Sequence, residues 1–246
     1  MKKFLQVLAF WLCLGVSVWA GQCPSGEEVL NKLKKLFPRA DQFQIESIKP
    51  STVSGFCEVV LKSKGPFRNI IYVDQKGRYA FLGQLIDLEK GQNLTRQKII
   101  TLSKLTPEQL KKLDYLVAFT AGKGPKTLYL ITDPDCPFCK KLEKTLQELI
   151  KEGKITVKVI LFPLERLHPK AKEKSIAIIC DKKGFEGLLI GYTSSNQCEE
   201  GKKKVEEAQK YLFSLGIRGT PTIILTNGKM LRGALPKVQL EKELGL

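Results

Sequence analysis

The sequence of 246 residues is poor in the side chains that build metal sites, since it has a single histidine, His168. A structural zinc site needs four Cys or His ligands, usually in two close pairs. Cys136 and Cys139 form one close pair, but Cys180, Cys198 and His168 are widely separated. A zinc-binding structural module therefore fits the sequence poorly. Internal repeats and low-complexity tracts are absent as well, which gives no support to a repeat architecture.

Acidic residues are few relative to basic ones, with 25 Asp and Glu against 41 Lys and Arg and a formal net charge of +16. Such an excess can indicate binding to nucleic acid or to an anionic membrane. Here the lysines are spread along the chain and often lie beside glutamates, as in KKLEKTLQELIKEGK. This pattern is typical of a solvated helical surface and predicts no nucleic-acid function.

Residues 1–20 are predicted to form a secretory signal peptide. They combine a basic start, an almost wholly apolar run over 4–19 and a small-residue cleavage motif ending at Ala20. A membrane anchor would need about 20 apolar residues, and the chain turns polar from Gly21. We therefore expect an exported, soluble protein. Cys13 leaves with the signal, and the six remaining cysteines enter a compartment in which disulfides persist.

Residues 21–92 are predicted to form a small N-terminal α+β domain. The segment SGEEVLNKLKKLFPR predicts a helix that begins after Ser25 and stops at Pro38, and β-rich segments follow it. The apolar face of this helix is predicted to consist of Val29, Leu30, Leu33, Leu36 and Phe37. A unit of about 70 residues has a small core, so we expect it to need a covalent cross-link or a partner chain for its stability.

Residues 93–122 predict a helical linker whose second helix begins at Thr106-Pro107. Residues 123–246 then read as a strand, a helix, a strand, a polar helical stretch, a hairpin and a closing helix. Asn227-Gly228 predicts a two-residue turn in the hairpin. This order is typical of an α/β thioredoxin-like domain that carries a helical insertion.

The pair Cys136 and Cys139 lies between an apolar strand and a helix whose predicted inner face is Phe138, Leu142, Leu146 and Leu149. At a helix start, free backbone N–H groups and the helix dipole stabilise an anion, and such cysteines can have a much lowered pKa. We expect Cys136 to be a thiolate and Cys139, one turn further in, to lie below the exposed tip. A structural disulfide is the alternative, but so short a loop constrains the unfolded chain little.

Thr220 and Pro221 directly precede a core strand, a place from which proline is normally excluded. Thioredoxin-like folds have a cis-proline at this point, opposite the cysteine pair, which leaves the preceding backbone free to bind a substrate segment as an added strand. We predict Thr220 and Pro221 as the substrate-positioning pair.

Cys23 and Cys57 flank the small N-terminal domain. A disulfide between them would stabilise a unit that is short of core. We therefore predict a structural disulfide, and a second redox pair is the alternative.

The sequence resembles the periplasmic thiol:disulfide interchange proteins of the DsbC/DsbG type. LITDPDCPFCKKL resembles the active site of that family, GIRGTPTIILTNGKMLRG its cis-proline hairpin, and YVDQKGRYAFLGQLIDLEKGQNLT the end of its dimerisation domain. The resemblance implies a V-shaped homodimer in which Cys136 attacks, Cys139 resolves, and Cys180 pairs with Cys198 in a structural disulfide.

The resemblance also implies the reaction and its partners. Incorrect disulfides in misoxidised or unfolded exported proteins would be isomerised in the periplasm, with the Cys136–Cys139 dithiol as the redox centre and no bound cofactor. A membrane thiol reductase would keep the dithiol reduced. Pro137-Phe138 is closer to the G-type motif, so a sulfenic-acid reductase remains an alternative. A net oxidase or reductase on the same fold, whose direction depends on the reduction potential, and a dimeric chaperone with secondary redox activity are further alternatives.

Overall fold

The computed structural model describes residues 23–63 and 65–246. The predicted signal peptide at 1–20, including Cys13, lies outside the described residues. In the part of the chain that is described, no helix has the length and apolar character needed to cross a membrane. The described residues build two larger sheets, one near each end of the chain, and a short two-stranded ribbon between them.

The N-terminal sheet is antiparallel, in the order β1-β2-β3-β4. Its strands are β1 Gln44–Pro50, β2 Phe56–Lys62, β3 Arg68–Asp74 and β4 Ala80–Phe81. Helix α1, Gly26–Leu36, precedes it, and the Ser25 hydroxyl caps the helix by accepting a hydrogen bond from the Glu28 N–H at 3.2 Å. A 3-10 turn at Pro38–Gln42 leads from α1 into β1.

Helix α1 buries a narrower face than its sequence predicts. Val29 and Leu33 are buried against the sheet, in a core with Cys57, Val59 and Ile71. Leu36 and Phe37, which the sequence predicts on the same face, are 72% and 46% exposed. Phe37 lies beyond the end of the helix in extended backbone, so the last part of the predicted face has no sheet beneath it.

The predicted linker is divided between the two cores. A ribbon of β5 Ile86–Asp87 and β6 Gln92–Asn93 leads into α2 Leu94–Leu102, then α3 Pro107–Leu116 and β7 Phe119–Ala121. Ile99 and Leu102 of α2 pack on the second face of the N-terminal sheet, whereas Ile100 of α2 packs on the C-terminal core. Leu113 and Leu116 of α3 belong to the C-terminal core. Both helices thus bury apolar side chains against the sheets, and no free-standing linker forms.

The C-terminal sheet has the order β11-β10-β8-β9-β7, with β8 and β9 parallel and the other pairs antiparallel. Strand β7 is part of this sheet, so the domain begins before the predicted boundary at 122/123. The remaining elements are β8 Lys126–Thr132, α4 Pro137–Lys151, β9 Ile155–Leu161, α5 Ala171–Cys180, α6 Gly184–Ile190, α7 Glu199–Ser214, β10 Thr222–Leu225, β11 Met230–Arg232 and α8 Lys237–Leu244.

Helices cover both faces of the C-terminal sheet. Leu128 and Leu130 of β8 pack in one core with Leu142, Leu146 and Leu149 of α4. Side chains of a strand point alternately to opposite faces. Accordingly Tyr129 and Ile131 belong to the second core, which includes residues of α3 and α7.

Two local predictions in this domain are wrong in detail. Phe138 is 65% exposed because the first turn of α4 extends past the core, and Cys139 rather than Phe138 occupies the inner position. The hairpin loop is longer than the two-residue turn that was predicted: Leu225 N–H donates to Lys229 O at 2.9 Å, which leaves Thr226–Gly228 as a three-residue loop. Gly228 adopts a φ of 82° there, a conformation that glycine accepts at little cost.

Candidate active site

The cysteine pair lies at the N-terminal end of α4, directly after β8. Cys136 is the N-cap residue, and Pro137 occupies the first turn, where its missing N–H leaves no hydrogen bond unmade. The backbone is fixed on both sides, because Cys136 N–H donates to Asp133 O and Lys140 N–H donates to Cys136 O, both at 3.1 Å. The Cys136 sulfur is therefore held at the positive end of a fifteen-residue helix.

Both cysteines are free thiols, and both are buried. Cys139 is completely inaccessible, while Cys136 exposes 5% of its surface. Burial raises the pKa of the Cys139 thiol to about 12, against the opposing effect of the Thr132 and Thr220 hydroxyls. Cys136 is thus the more accessible of the two, although it is far less exposed than the tip position that the sequence analysis expected.

The loop before β10 covers the cysteine pair. Strand β10 runs antiparallel to β8 with Thr222 opposite Ile131, so the start of β10 lies beside the end of β8. The Thr220–Pro221 peptide bond is cis, and the Thr220 carbonyl oxygen lies 3.8 Å from Cys136 Sγ. The fold thereby brings together Cys136, Cys139, Thr220 and Pro221, the four residues that the sequence predicts to act on the substrate.

A cavity of about 420 Å³ adjoins this loop. It is lined by residues 216–222 together with Arg232 and Gly233. Thr220 and Pro221 are among the residues that line the cavity, whereas Cys136 and the rest of α4 do not line it.

Sequence analysis missed a buried carboxyl group beneath the cysteines. Glu143, one turn after Cys139 on α4, is completely inaccessible. Thr132 Oγ1 donates to Glu143 Oε1 at 2.6 Å. Burial raises the pKa of Glu143 to about 7, although the Thr132 hydroxyl and the Lys140 ammonium oppose the shift. The lysine- and glutamate-rich run was interpreted as a solvated surface, and only the four-residue spacing from Cys139 could have signalled this position.

His168 contacts a carboxylate rather than a cysteine. Its Nδ1 lies 2.9 Å from Asp133 Oδ2, and this oxygen also accepts a hydrogen bond from Leu164 N–H at 2.7 Å. Asp133 is completely buried directly after β8. The contact ties the segment after β9 to the loop that carries the cysteines. Among the described residues, no group of three or more His, Cys, Asp or Glu side chains is arranged to hold a metal ion.

The other four cysteines of the described residues form two disulfides away from the site. Cys23 joins Cys57, and Cys180 joins Cys198, each with 5.8 Å between the Cα atoms. The first attaches the segment before α1 to β2 of the N-terminal sheet. The second connects the end of α5 to the residue that caps α7, inside the helical insertion.

Two family models match the chain. A thioredoxin-like domain matches residues 116–246, and the N-terminal domain of disulfide bond isomerase proteins matches residues 20–96. The first match begins at the end of α3, in agreement with the position of β7 in the C-terminal sheet. These matches confirm the predicted combination of a thioredoxin-like domain with a small N-terminal domain.

Individual relatives cover most of the chain. A probable thiol:disulfide interchange protein DsbC of Bordetella pertussis is 28% identical over 209 residues, which is 84% of this chain and 70% of the relative. DsbC of Escherichia coli strain K12 is 26% identical over 204 residues, which is 80% of each chain. Among solved structures, a disulfide interchange protein from Neisseria gonorrhoeae is 28% identical with a TM-score of 0.46, over 51% of this chain and 91% of that one.

The site and the comparisons agree on the chemistry. A Cys-x-x-Cys dithiol at a helix start, opposite a cis-proline, is suited to exchange with disulfides. The thioredoxin-like model covers more than half of the chain, and the N-terminal model covers the other domain. The chain therefore belongs to the thioredoxin-like family, as a thiol:disulfide interchange enzyme of the DsbC/DsbG type.

Proposed function

We propose that this enzyme isomerises incorrect disulfides in exported proteins, with Cys136 as the attacking sulfur. The observation that carries the proposal is the reduced pair itself: Cys136 caps α4, is the more accessible of the two thiols, and lies 3.8 Å from the Thr220 carbonyl oxygen. A thiolate at a helix N-terminus is stabilised by the dipole and by free N–H groups. The first step is attack of Cys136 on a substrate disulfide to form a mixed disulfide.

Thr220 and Pro221 position the substrate in this proposal. An extended substrate segment beside the loop would place its own sulfur next to Cys136 Sγ, with main-chain hydrogen bonds that do not depend on sequence. The adjacent cavity of about 420 Å³ supports this role. Such backbone recognition suits an enzyme that must accept many misoxidised proteins.

Cys139 resolves the mixed disulfide when rearrangement stalls. Its sulfur attacks Cys136 Sγ, the substrate sulfur leaves as a thiolate, and the enzyme ends with a Cys136–Cys139 disulfide. A membrane thiol reductase must then restore the dithiol, because isomerisation begins from the reduced enzyme. We place this cycle in the periplasm, in line with the predicted signal peptide and with the family.

We infer that two copies assemble through the N-terminal domains. Strand β4 is an edge of its sheet, and Phe81 on it is 52% exposed. A nearby cavity of about 400 Å³ is lined in part by Leu36, Phe37 and Leu82, which are largely exposed as well. An apolar surface of this kind beside an open strand edge is suited to a partner chain. Sedimentation of the mature protein tests this inference, and a monomer at micromolar concentration contradicts it.

Reactivation of scrambled ribonuclease tests the reaction. We expect the Cys136→Ala variant to lose reactivation completely, because the attacking sulfur is gone. The Cys139→Ala variant should retain part of the activity and accumulate mixed disulfides. Retained activity in Cys136→Ala would reject the proposal. The matched control is removal of the Cys180–Cys198 disulfide, which leaves both site thiols in place.

A sulfenic-acid reductase is the second candidate, favoured by Pro137-Phe138 between the cysteines. Cys136 would attack the sulfur of a cysteine sulfenic acid, so that the S–O bond breaks, water leaves and a mixed disulfide forms. Cys139 would then attack Cys136, the substrate would leave as a reduced thiol, and the Cys136–Cys139 disulfide would close. An enzyme that reduces a protein sulfenic acid but leaves scrambled ribonuclease unchanged would establish this candidate in place of isomerisation. The reduction potential of the pair decides the preferred direction of exchange, since 30 mV corresponds to about 1.4 kcal/mol.

A further inference from the structure

Two arginines lie beside the loop before β10, and the exchange reaction described above does not use either of them. Arg218 belongs to this loop and lies two residues before Thr220. Arg232 is on β11, directly opposite Thr222 of β10. Both arginines line the cavity of about 420 Å³ at this loop. They are therefore placed where a substrate segment is expected to bind.

The protein does not neutralise these two charges. In the described part of the chain, the arginine that forms an ion pair is Arg68, which pairs with Glu46. Neither Arg218 nor Arg232 forms an ion pair there, and both residues are exposed. Because an arginine keeps its charge at any pH that the protein meets, both guanidinium groups are available to a negatively charged ligand.

Aromatic rings hold both guanidinium groups in place. Cζ of Arg232 lies 4.0 Å from the centre of the Phe67 ring, and Cζ of Arg218 lies 5.7 Å from the centre of the Phe213 ring. An aromatic ring attracts the cation without removing its charge, and the N–H groups of the guanidinium can still donate to a carboxylate. Since the side chains are already held, the binding of a carboxylate costs less side-chain entropy.

The groove continues beyond Arg218 into a second cavity of about 530 Å³. Arg218 lines both cavities, so the two adjoin each other and a bound segment has room on either side of it. The second cavity is also lined by Arg166 and Glu165. Glu165 is the one carboxylate among the described residues that line the two cavities, and its Oε1 accepts a hydrogen bond from Gln209 Nε2 at 3.1 Å. With three arginines against one glutamate, the groove carries a positive charge that suits an acidic segment.

Resting on the interchange reaction proposed above, we propose that Arg218 and Arg232 make this enzyme select substrate cysteines that have an aspartate or a glutamate within about three residues. The Thr220 carbonyl oxygen lies 3.8 Å from Cys136 Sγ, and an extended chain advances about 3.3 Å per residue. A segment beside the loop, with its cysteine at Cys136, therefore has residues two or three positions away level with Arg218. A carboxylate there accepts charge-assisted hydrogen bonds from the guanidinium. Main-chain recognition at Thr220 accepts any sequence, and the two arginines add a preference to it.

Formation of the mixed disulfide measures this selectivity. The Cys139→Ala variant stops at the mixed disulfide, which acid quenching, alkylation and mass spectrometry count over time. Each one-cysteine peptide is supplied as its symmetric disulfide, so attack on either sulfur gives the same product. A panel of peptides has Glu, Gln or Lys at each position within this distance of the cysteine. The rates are divided by those of the same peptides with 2-mercaptoethanol, because neighbouring charges change the pKa of the leaving thiol and so the intrinsic rate of exchange.

We expect the best Glu peptide to react about fivefold faster than its Gln counterpart, and the Lys peptide to react more slowly than both. Fivefold corresponds to about 1 kcal/mol, the upper end for an exposed ion pair. The preference should shrink as salt is added, because exposed charges are screened.

Substitution of the arginines tests their role. The double variant Arg218→Gln and Arg232→Gln should lower the ratio of the Glu rate to the Gln rate to about one and leave the Gln rate within about twofold. Arg218→Lys should keep most of the preference, whereas Arg218→Glu should make the Lys peptide faster than the Glu peptide. The matched control is Arg96→Gln, which removes an exposed positive charge on α2 that lines neither cavity.

Several outcomes would overturn the selectivity while the exchange reaction stands. Equal relative rates for the Glu, Gln and Lys peptides would do so. A preference that persists in the double variant, or that falls equally in Arg96→Gln, would assign it to the formal net charge of +16 instead of the groove. If the double variant does not fold, the exposed Arg218→Glu change decides alone, since an unchanged order of the peptides contradicts the proposal. Absence of a mixed disulfide with every peptide would instead contradict the proposed function, and the selectivity with it.

Discussion

The two domains stabilise themselves in different ways. In the C-terminal domain, helices cover both faces of the sheet, and every completely inaccessible Leu, Ile and Phe of the described residues lies at or after Leu113. The N-terminal domain buries smaller clusters, leaves Leu36 and Leu82 largely exposed, and carries the Cys23–Cys57 disulfide across its main core. The larger domain holds the two free thiols of the site and has a disulfide in its helical insertion, whereas the smaller one uses its pair of cysteines as a covalent constraint on its main core.

The difference shows that burial alone does not assign a role to a cysteine. Cys57 and Cys139 are both completely inaccessible. Cys57 is bonded to Cys23 in the segment before α1, while Cys139 faces the hydroxyl groups of Thr132 and Thr220 and lies beside the Cys136 thiol. What distinguishes the redox pair is the polar surroundings placed beneath it.

Removal of the N-terminal disulfide gives the largest expected effect. A variant with both Cys23→Ala and Cys57→Ala should lose about 3 to 4 kcal/mol of stability in the N-terminal domain, because the closed loop spans a sequence separation of 34 residues. Hydrogen exchange followed by mass spectrometry reports this, with faster exchange in β2 and little change in β9.

The matched control is removal of the Cys180–Cys198 pair, whose separation is 18 residues. It should destabilise the C-terminal domain by about 3 kcal/mol and spare β2. If removal of the Cys23–Cys57 disulfide left hydrogen exchange in β2 unchanged, the N-terminal domain would not depend on this disulfide for its stability.

The pH dependence of stability tests the comparison in the C-terminal domain, through the buried Glu143. The pKa of Glu143 is raised from 4.5 to about 7 on folding, so between these values the unfolded carboxyl loses its proton while the folded one keeps it. The free energy of unfolding must then fall as pH rises from 4.5 to 7, by about 3 kcal/mol, and stay level above 7. Below pH 4.5 the group makes no difference.

Glu143→Gln removes this dependence, so its stability relative to the unmodified protein should rise by about 3 kcal/mol across the same interval. Urea unfolding at a series of pH values measures the difference. Glu148→Gln serves as the control, since Glu148 is 61% exposed. Parallel stability curves for Glu143→Gln and the unmodified protein would show that the buried acid has an ordinary pKa.

Local signals in the sequence predicted a large part of this fold. Ser25 and Thr106 cap their helices as expected, because capping depends on residues within one turn. The inner face of α4 followed from its helical spacing at Leu142, Leu146 and Leu149. The position of the cysteine pair followed from the strand and helix on either side of it.

The features that sequence did not predict depend on distant contacts. Strand β7 has three residues, and its pairing requires the edge of β9. The burial of Glu143 depends on Thr132, across the helix–sheet interface. In the sequence alone, a glutamate three positions from a lysine is interpreted as part of a solvated helix surface. The packing of α2 on both cores and of α3 on the C-terminal core depends on where the two sheets lie, which no local pattern encodes.

Removal of the N-cap of α3 tests the segment between the two domains, with a smaller expected loss of stability. In α3, Thr106 Oγ1 accepts from Gln109 N–H at 3.3 Å and Gln109 Oε1 accepts from Thr106 N–H at 2.9 Å. Thr106→Ala should lower stability by about 1 kcal/mol, and Thr106→Ser should recover most of the loss. Because α3 packs on the C-terminal core, hydrogen exchange should accelerate there and not in β2, and an effect on β2 would contradict the assignment of α3.

The smallest expected effect is at Phe138, the residue at which the prediction from sequence and the structure differ most. As a core residue, its truncation to alanine would cost about 3 to 5 kcal/mol. The structure has it 65% exposed at the first turn of α4, so Phe138→Ala should change the free energy of unfolding by less than about 0.5 kcal/mol. Leu142→Ala, one turn along the same helix and completely buried, should cost about 2 to 5 kcal/mol. Urea unfolding of the two variants tests whether Phe138 lies on the buried or on the exposed face of α4. Equal losses of unfolding free energy would place Phe138 in the core and rotate the cysteine pair away from Thr132.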